Sequence, residues 1–279
     1  LYLMPALIII LLFTACPLVR AFLMSFYEDY NMISGEYSRI GLGNYKDLFG
    51  DKDFTKALRN TSIYVVFVVP CSIALSLLIA VLLNSNIKFR GLFQTIFFLP
   101  YVTSVIAIGL VWSWIFNSNY GLLNYVLSWF GIAKVQWLNK PKYALPSLII
   151  FSVWKSMAFD ILIFLAGLQT IPKDLYNAAR VDSTPRWRVF WKITVPGIAP
   201  MISYAFIMGF ISAFKVYNEV FSLWGGKAGP ANSAITVVYY IYDKFYNSHN
   251  YGLASAAAVI LFLIILVLTV VQRMMGKKK

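Results

Sequence analysis

Two of the apolar runs each hold a pair of ionisable side chains, Lys155 and Asp160 in one and Lys215 and Glu219 in the other. Charges are costly in hydrocarbon, so such groups face a cavity, a partner or one another. Lys215 and Glu219 stand four residues apart, one helical turn, which permits mutual neutralisation. The same groups, with Asn218 beside them, can instead bond the hydroxyls of a solute. Trp154, Phe159, Tyr217 and Trp224 add flat rings of the kind on which a sugar face stacks. Trp154, Lys155, Asp160, Tyr217, Asn218 and Glu219 are therefore the candidate substrate-binding set. Aromatic residues near span ends also act as interfacial anchors, and both readings stand at this point.

Other chemistries find no support. His249 is the only histidine, which leaves no metal cluster. Cys16 and Cys71 both fall within apolar runs and are expected as small buried residues, neither a disulfide nor a ligand pair. Gly226-Lys227 is followed by Ala228, with no glycine five positions before it, so the phosphate-loop pattern is missing. Gly-x-Ser-x-Gly and His-Glu-x-x-His strings are absent as well. No catalytic residue, metal or cofactor is expected in this chain; if ATP drives it, another chain hydrolyses the nucleotide. The net charge of +13 is spread over loops rather than gathered in one patch, which argues against nucleic acid as a partner.

The stretch 171–200 is a polar, cation-rich interruption carrying Lys173, Arg180, Arg186, Arg188 and Lys192 against Asp174 and Asp182. Pro172 suits a first helical turn, so Lys173 to Val181 is expected as a short helix with Asp174 near its positive end. Thr184 is expected to cap a second helix, with Pro185 in its first turn and Arg186 to Ile193 following. Pro196 and Pro200 then mark the return to the membrane. Ala178 and Ala179 leave the first helix slim, open to close approach by a partner surface.

These residues must be positioned by membrane helices. The chain is 60% hydrophobic and 13% charged, against about 25% charged in soluble domains. Six apolar runs, 1–26, 62–83, 92–116, 145–168, 198–223 and 252–271, reach or exceed the length of a span, which is about 20 residues. The first is expected to be a span and not a signal peptide, since it continues past Cys16 without a basic leader. The fold expected is all-α, a polytopic integral membrane protein of six transmembrane helices forming one domain over 1–279, with 171–197 as a loop between the fourth and fifth. Counting Lys and Arg in the loops gives eleven cations on one side and ten on the other. The eleven, which include Lys88, Arg90, Arg273, Lys277, Lys278 and Lys279, occupy roughly half as many residues, so that side and both termini are expected in the cytoplasm. The 27–61 and 224–251 loops fall outside, the latter made mobile by Gly225, Gly226 and Gly229.

Asn177-Ala178-Ala179-x-x-Asp182, followed by Phe190, Ile193, Pro196 and Pro200, resembles the Glu-Ala-Ala loop of permease subunits in binding-protein-dependent ABC importers of the sugar type, the maltose-permease-like family. Further similar strings run in the same order along the chain: Gly43-Asn44-Tyr45, Phe97-Phe98-Leu99-Pro100, Gly121-Leu122-Leu123-Asn124, Leu165-Ala166-Gly167-Leu168-Gln169, Gly229-Pro230-Ala231 and Tyr251-Gly252-Leu253-Ala254-Ser255-Ala256. The resemblance implies that Leu175, Asn177, Ala178, Ala179, Asp182, Ser183, Phe190 and Pro196 couple the chain to a cytoplasmic ATPase. It also implies a second permease subunit, two ATPase subunits carrying ATP and Mg, an extracellular solute-binding protein, a carbohydrate substrate such as an oligosaccharide or a polyol compound, and alternating access in the cytoplasmic membrane. Two departures stand out. The family's Glu is Asn177, which removes an ion pair to the ATPase, and its Gly-Ala is Ser183-Thr184, which makes a left-handed turn harder to reach. An ion-coupled transporter using the four intramembrane charges is the competing class.

Overall fold

Apolar runs in hydrocarbon fold as helices because each backbone N–H and C=O then finds its partner within the segment. The computed structural model describes residues 2–32, 34–85 and 87–276. Helix α1 (Met4–Met24) leads to a two-residue antiparallel pair, β1 (Tyr27–Glu28) with β2 (Arg39–Ile40), and to α2 (Gly43–Gly50). Helix α3 (Lys52–Asn84) starts where the Asp51 carboxylate accepts from the Asp53 N–H at 2.8 Å. Its 33 residues span about 50 Å at ~1.5 Å per residue. The loop expected over 27–61 is therefore largely folded, and the helix begins ten residues before the apolar run does.

The third apolar run is not one rod. Helices α4 (Arg90–Val102) and α5 (Val105–Ile115) meet at a 105° bend. Thr103 and Ser104 are extended there, three residues beyond Pro100. Next come α6 (Leu122–Ser128), α7 (Pro141–Thr170) and α8 (Lys173–Val181). Helices α9 (Arg186–Gly197) and α10 (Ala199–Phe214) are bent by 67°. The fifth run is also interrupted, since Lys215–Tyr217 leave the helix before α11 (Asn218–Leu223). Helix α12 (Val237–Tyr242) continues as a π-helical turn, Asp243–Asn247, and α13 (Tyr251–Gly276) closes the described chain. Among the described residues, four helices, α1, α3, α7 and α13, are long and apolar enough to cross a membrane, or up to six spans if each bent pair counts as one.

Helix α3 lies along α7, with α10 on α3, α4 on α7 and α5 on α11. Gly109 on α5 admits this last contact, because a Cβ there would overlap the Ser222 side chain. Two buried clusters result. One gathers Phe54, Tyr64, Phe116, Phe151, Phe214 and Tyr240; the other gathers Ala80, Leu83, Phe164, Leu168, Ile171 and Ile198, under the base of the 171–197 segment. Cys16 and Cys71 depart from expectation: both are unpaired and face outward, on the surfaces that α1 and α3 turn away from the core. Of the cations counted for sidedness, Lys277, Lys278 and Lys279 lie outside the described residues.

Candidate functional site

The 171–197 segment is a helical knuckle pinned at its neck. Ile171 and Ile198 are buried together, and Gly197 sits so close to Ile171 that a Cβ would meet its Cδ1 at 2.7 Å. Pro172 occupies the N-cap of α8, with Asp174 in the first turn and Arg180 in the last, as the macrodipole favours. The helix ends in a Schellman motif. The Ser183 N–H donates to the Arg180 carbonyl at 3.1 Å, and the Thr184 N–H donates to the Ala179 carbonyl at 2.9 Å. Ser183 adopts φ +51°, so the left-handed turn expected to be difficult without glycine forms nonetheless. Thr184 does not cap the second helix. Its N–H is committed to α8, and extended Pro185 takes the N-cap position without a side-chain bond. Within α9, Phe190–Thr194 form a π-helical turn just before Pro196, whose ring and missing N–H disrupt the regular ladder. Tyr176 and Thr194 share a hydroxyl contact of 3.2 Å that ties the two helices together.

Of the eight residues expected to couple to a partner, Leu175, Asn177, Ala178, Asp182, Ser183 and Pro196 are exposed and Phe190 is half-buried. Ala179 differs. At 7% exposure it faces its own chain, so the slim side open to close approach is that of Ala178 alone. Leu175 (49% exposed) and Val181 (85%) extend the Ala178 side as an uncovered apolar stripe at helical spacing. Val181 was not singled out in the sequence, although its spacing from Ala178 carried the signal.

The intramembrane charges pair otherwise than their spacing implies. Lys155 on α7 bonds Glu219 on α11 at 2.5 Å, whereas Lys215 is exposed. The helix break at Lys215–Tyr217 destroys the one-turn relation on which a Lys215–Glu219 pair depends. Asp160 is not part of this group. It lies five residues beyond Lys155 on α7, about 140° around the axis, and is buried against α3 near the Ser72 hydroxyl. Tyr217 and Asn218 border the pair, the first half-buried and the second exposed. The rings serve mostly as packing: Trp154 lies 5.3 Å from Trp112, Phe159 stacks on Tyr101 at 5.2 Å, and the Trp224 indole donates to the Leu138 carbonyl at 3.0 Å. Tyr217 instead joins Tyr242 at 4.9 Å, and Tyr242 joins Tyr246 at 5.0 Å, a ladder of rings that the sequence reading missed.

The loop after α11 is tied, not loose. Gly225, Gly226 and Gly229 all have positive φ and form its turns. Tyr239 donates to the Gly226 carbonyl at 2.7 Å, Lys56 to the Ala231 carbonyl at 2.7 Å, and Asn60 to the Ser233 and Ile235 carbonyls at 3.0 Å each. Nearby, the Asp51 carboxylate accepts from Tyr240 at 2.8 Å and pairs with Lys244 at 3.1 Å. Burial opposes its charge, but the Tyr240 hydroxyl, the Asp53 N–H and Lys244 together outweigh that and hold the carboxyl below its ordinary value. Glu28, bonded to Arg39 and to the Gly43 N–H, is lowered for the same kind of reason.

A multi-pass helical membrane protein with a projecting knuckle and a broken, charge-paired span has the make-up of a transport-system permease. Residues 72–279 match the family described as the binding-protein-dependent transport system inner membrane component. The chain belongs to that family, and is thus a pore-forming subunit and not an enzyme. It is similar to the trehalose/maltose transport system permease protein MalF of Thermococcus litoralis, 32% identical over 99% of this chain and 92% of that one. It is also similar to the arabinooligosaccharides transport system permease protein AraP of Halalkalibacterium halodurans, 35% identical over 92% and 80%. A crystal structure of a bacterial ABC transporter involved in the import of the acidic polysaccharide alginate contains a chain that superposes with a TM-score of 0.84 at 26% identity, covering 99% of this chain and 94% of that chain.

Proposed function

We propose that the chain, as one transmembrane domain over 1–279, is the permease subunit of an ATP-driven importer that moves a carbohydrate, such as an oligosaccharide, across the cytoplasmic membrane. Both termini and the knuckle lie in the cytoplasm, and six spans form half of a pore completed by a second permease chain. Two ATPase subunits receive the knuckle, and an extracellular binding protein delivers the solute. ATP-driven closure of the ATPase pair pushes on the knuckle, and the pinned neck at Ile171 and Ile198 passes the movement to α7 and α10. The observation that carries this reading is the uncovered stripe of Leu175, Ala178 and Val181 on a helix braced from behind. The names of the similar permeases support a carbohydrate as the solute. Ion coupling through Lys155 and Glu219 is disfavoured because the two neutralise each other.

The test is co-purification and reconstituted uptake. Ala178→Arg is expected to abolish capture of the ATPase subunit and nucleotide-dependent uptake while the chain still inserts. Uptake driven by an ion gradient without nucleotide, or undiminished ATPase capture, refutes the reading. Asn218→Ala and Tyr217→Ala are expected to weaken apparent solute affinity; unchanged uptake by both excludes that edge of the charge pair as a solute contact.

A further inference from the structure

On the inner side of the knuckle, opposite the Ala178 stripe, lies a cavity of about 1240 Å³. The knuckle walls one side of it and the facing ends of α3 and α4 wall the other. Arg90, Lys173, Arg180 and Arg186 all line it, together with the amides of Asn84, Gln169 and Asn177. None of its described lining residues is acidic, since Asp174 and Asp182, the carboxylates of the knuckle, take no part in its wall. None of the four cations forms a salt bridge with a described residue; Arg90 makes one long hydrogen bond to Asn84 at 3.5 Å. Cations converging on one space repel each other until an anion enters, and guanidinium forks match phosphate oxygens pairwise.

The location selects the anion. Asn84 and Arg90 stand at the facing ends of the apolar helices α3 and α4, the kind of position at which a span meets the headgroups. Trp187 and Trp191, 64% and 62% exposed, project from α9 beside Arg186, and such rings settle at headgroup level. We propose that this cavity binds the phosphate of an anionic phospholipid headgroup, which bridges the ends of α3 and α4 to the back of the knuckle. Asn177, Ala179, Ser183 and Phe190 of the expected coupling set share its wall, whereas the exposed Leu175, Ala178 and Val181 stripe does not; the proposal does not depend on the solute carried.

The full chain, purified in detergent with its co-purifying subunits, can be titrated with phosphatidylglycerol or phosphatidylcholine and the retained lipid counted by native mass spectrometry. Phosphatidylglycerol is expected to be retained preferentially. Arg90→Gln combined with Arg186→Gln is expected to weaken that retention about thirtyfold, and the Arg90→Lys and Arg186→Lys pair, which keeps the charge but loses the fork, to weaken it less. Equal retention of both lipids by the wild type overturns the proposal, as does unchanged phosphatidylglycerol binding in the glutamine pair. Displacement of the lipid by an equal concentration of inorganic phosphate also overturns it, reassigning the cavity to a free phosphate. If the glutamine pair does not fold, the wild-type lipid comparison and the lysine pair decide the matter alone.

Discussion

Single side chains in this chain act through partners distant in sequence. Lys155 and Glu219 were legible as charges in need of neutralisation, but spacing pointed Glu219 at Lys215, since nothing local reveals that the helix stops between them. Their side chains are 22% and 16% exposed. Glu219→Gln alone should therefore cost somewhat less than a fully buried pair, about 2 kcal/mol. Lys155→Met with Glu219→Gln should recover much of that loss, read as the melting temperature of the purified protein. Asp51 is a second case, invisible in the sequence because Tyr240 and Lys244 lie so far along the chain. Its folded-state carboxyl titrates below the unfolded value. The stabilisation is thus fully present above the unfolded value, near ~4, and is lost as pH falls through the lower folded one. Asp51→Asn should flatten the acid limb of a stability profile measured from neutral pH downward.

Helices were largely legible where apolar runs are long, and misread where a run hides a break. Hydropathy averages over Thr103-Ser104 and Lys215–Tyr217 without registering the extended or irregular backbone there. The two knuckle helices were anticipated because proline and the Asp182-Ser183 turn punctuate them. The cap of the second was not: extended Pro185 takes the N-cap position, and no side-chain bond closes it. Ser183→Gly should relieve the left-handed backbone strain and stabilise α8 by about 0.5–1 kcal/mol, seen as slower hydrogen exchange over 175–184. On the other side of the bundle, Gly109→Ala should force α5 away from α11 at a cost of about 1–3 kcal/mol. Ser222→Gly in the same chain should restore part of it, and a melting series on the two single variants and the double checks both expectations.

For the molecule as a whole, composition sufficed to assign a membrane protein, and the order of short strings along the chain anticipated its family. No residue in the 18-residue apolar window of α1 is fully buried within the chain, although its C-terminal part packs on α13. The uncovered face of α1, like the outward Cys16 and Cys71, is turned to lipid or to a neighbouring subunit. Because hydrocarbon disfavours the thiolate that attacks a maleimide, both thiols should label slowly in membranes and readily once the chain is unfolded in detergent, a contrast that labelling with one maleimide under the two conditions checks.

Helix α3 is longer than any bilayer requires, about 50 Å against ~30 Å of hydrocarbon. Its surplus lies at the Asp51 end, where Lys56 and Asn60 are bonded to the 230–236 turn. The ten residues ahead of the apolar run 62–83 make about 15 Å of helix, surplus length that lets the Asp51 end keep its bonds whatever the thickness of the surrounding membrane.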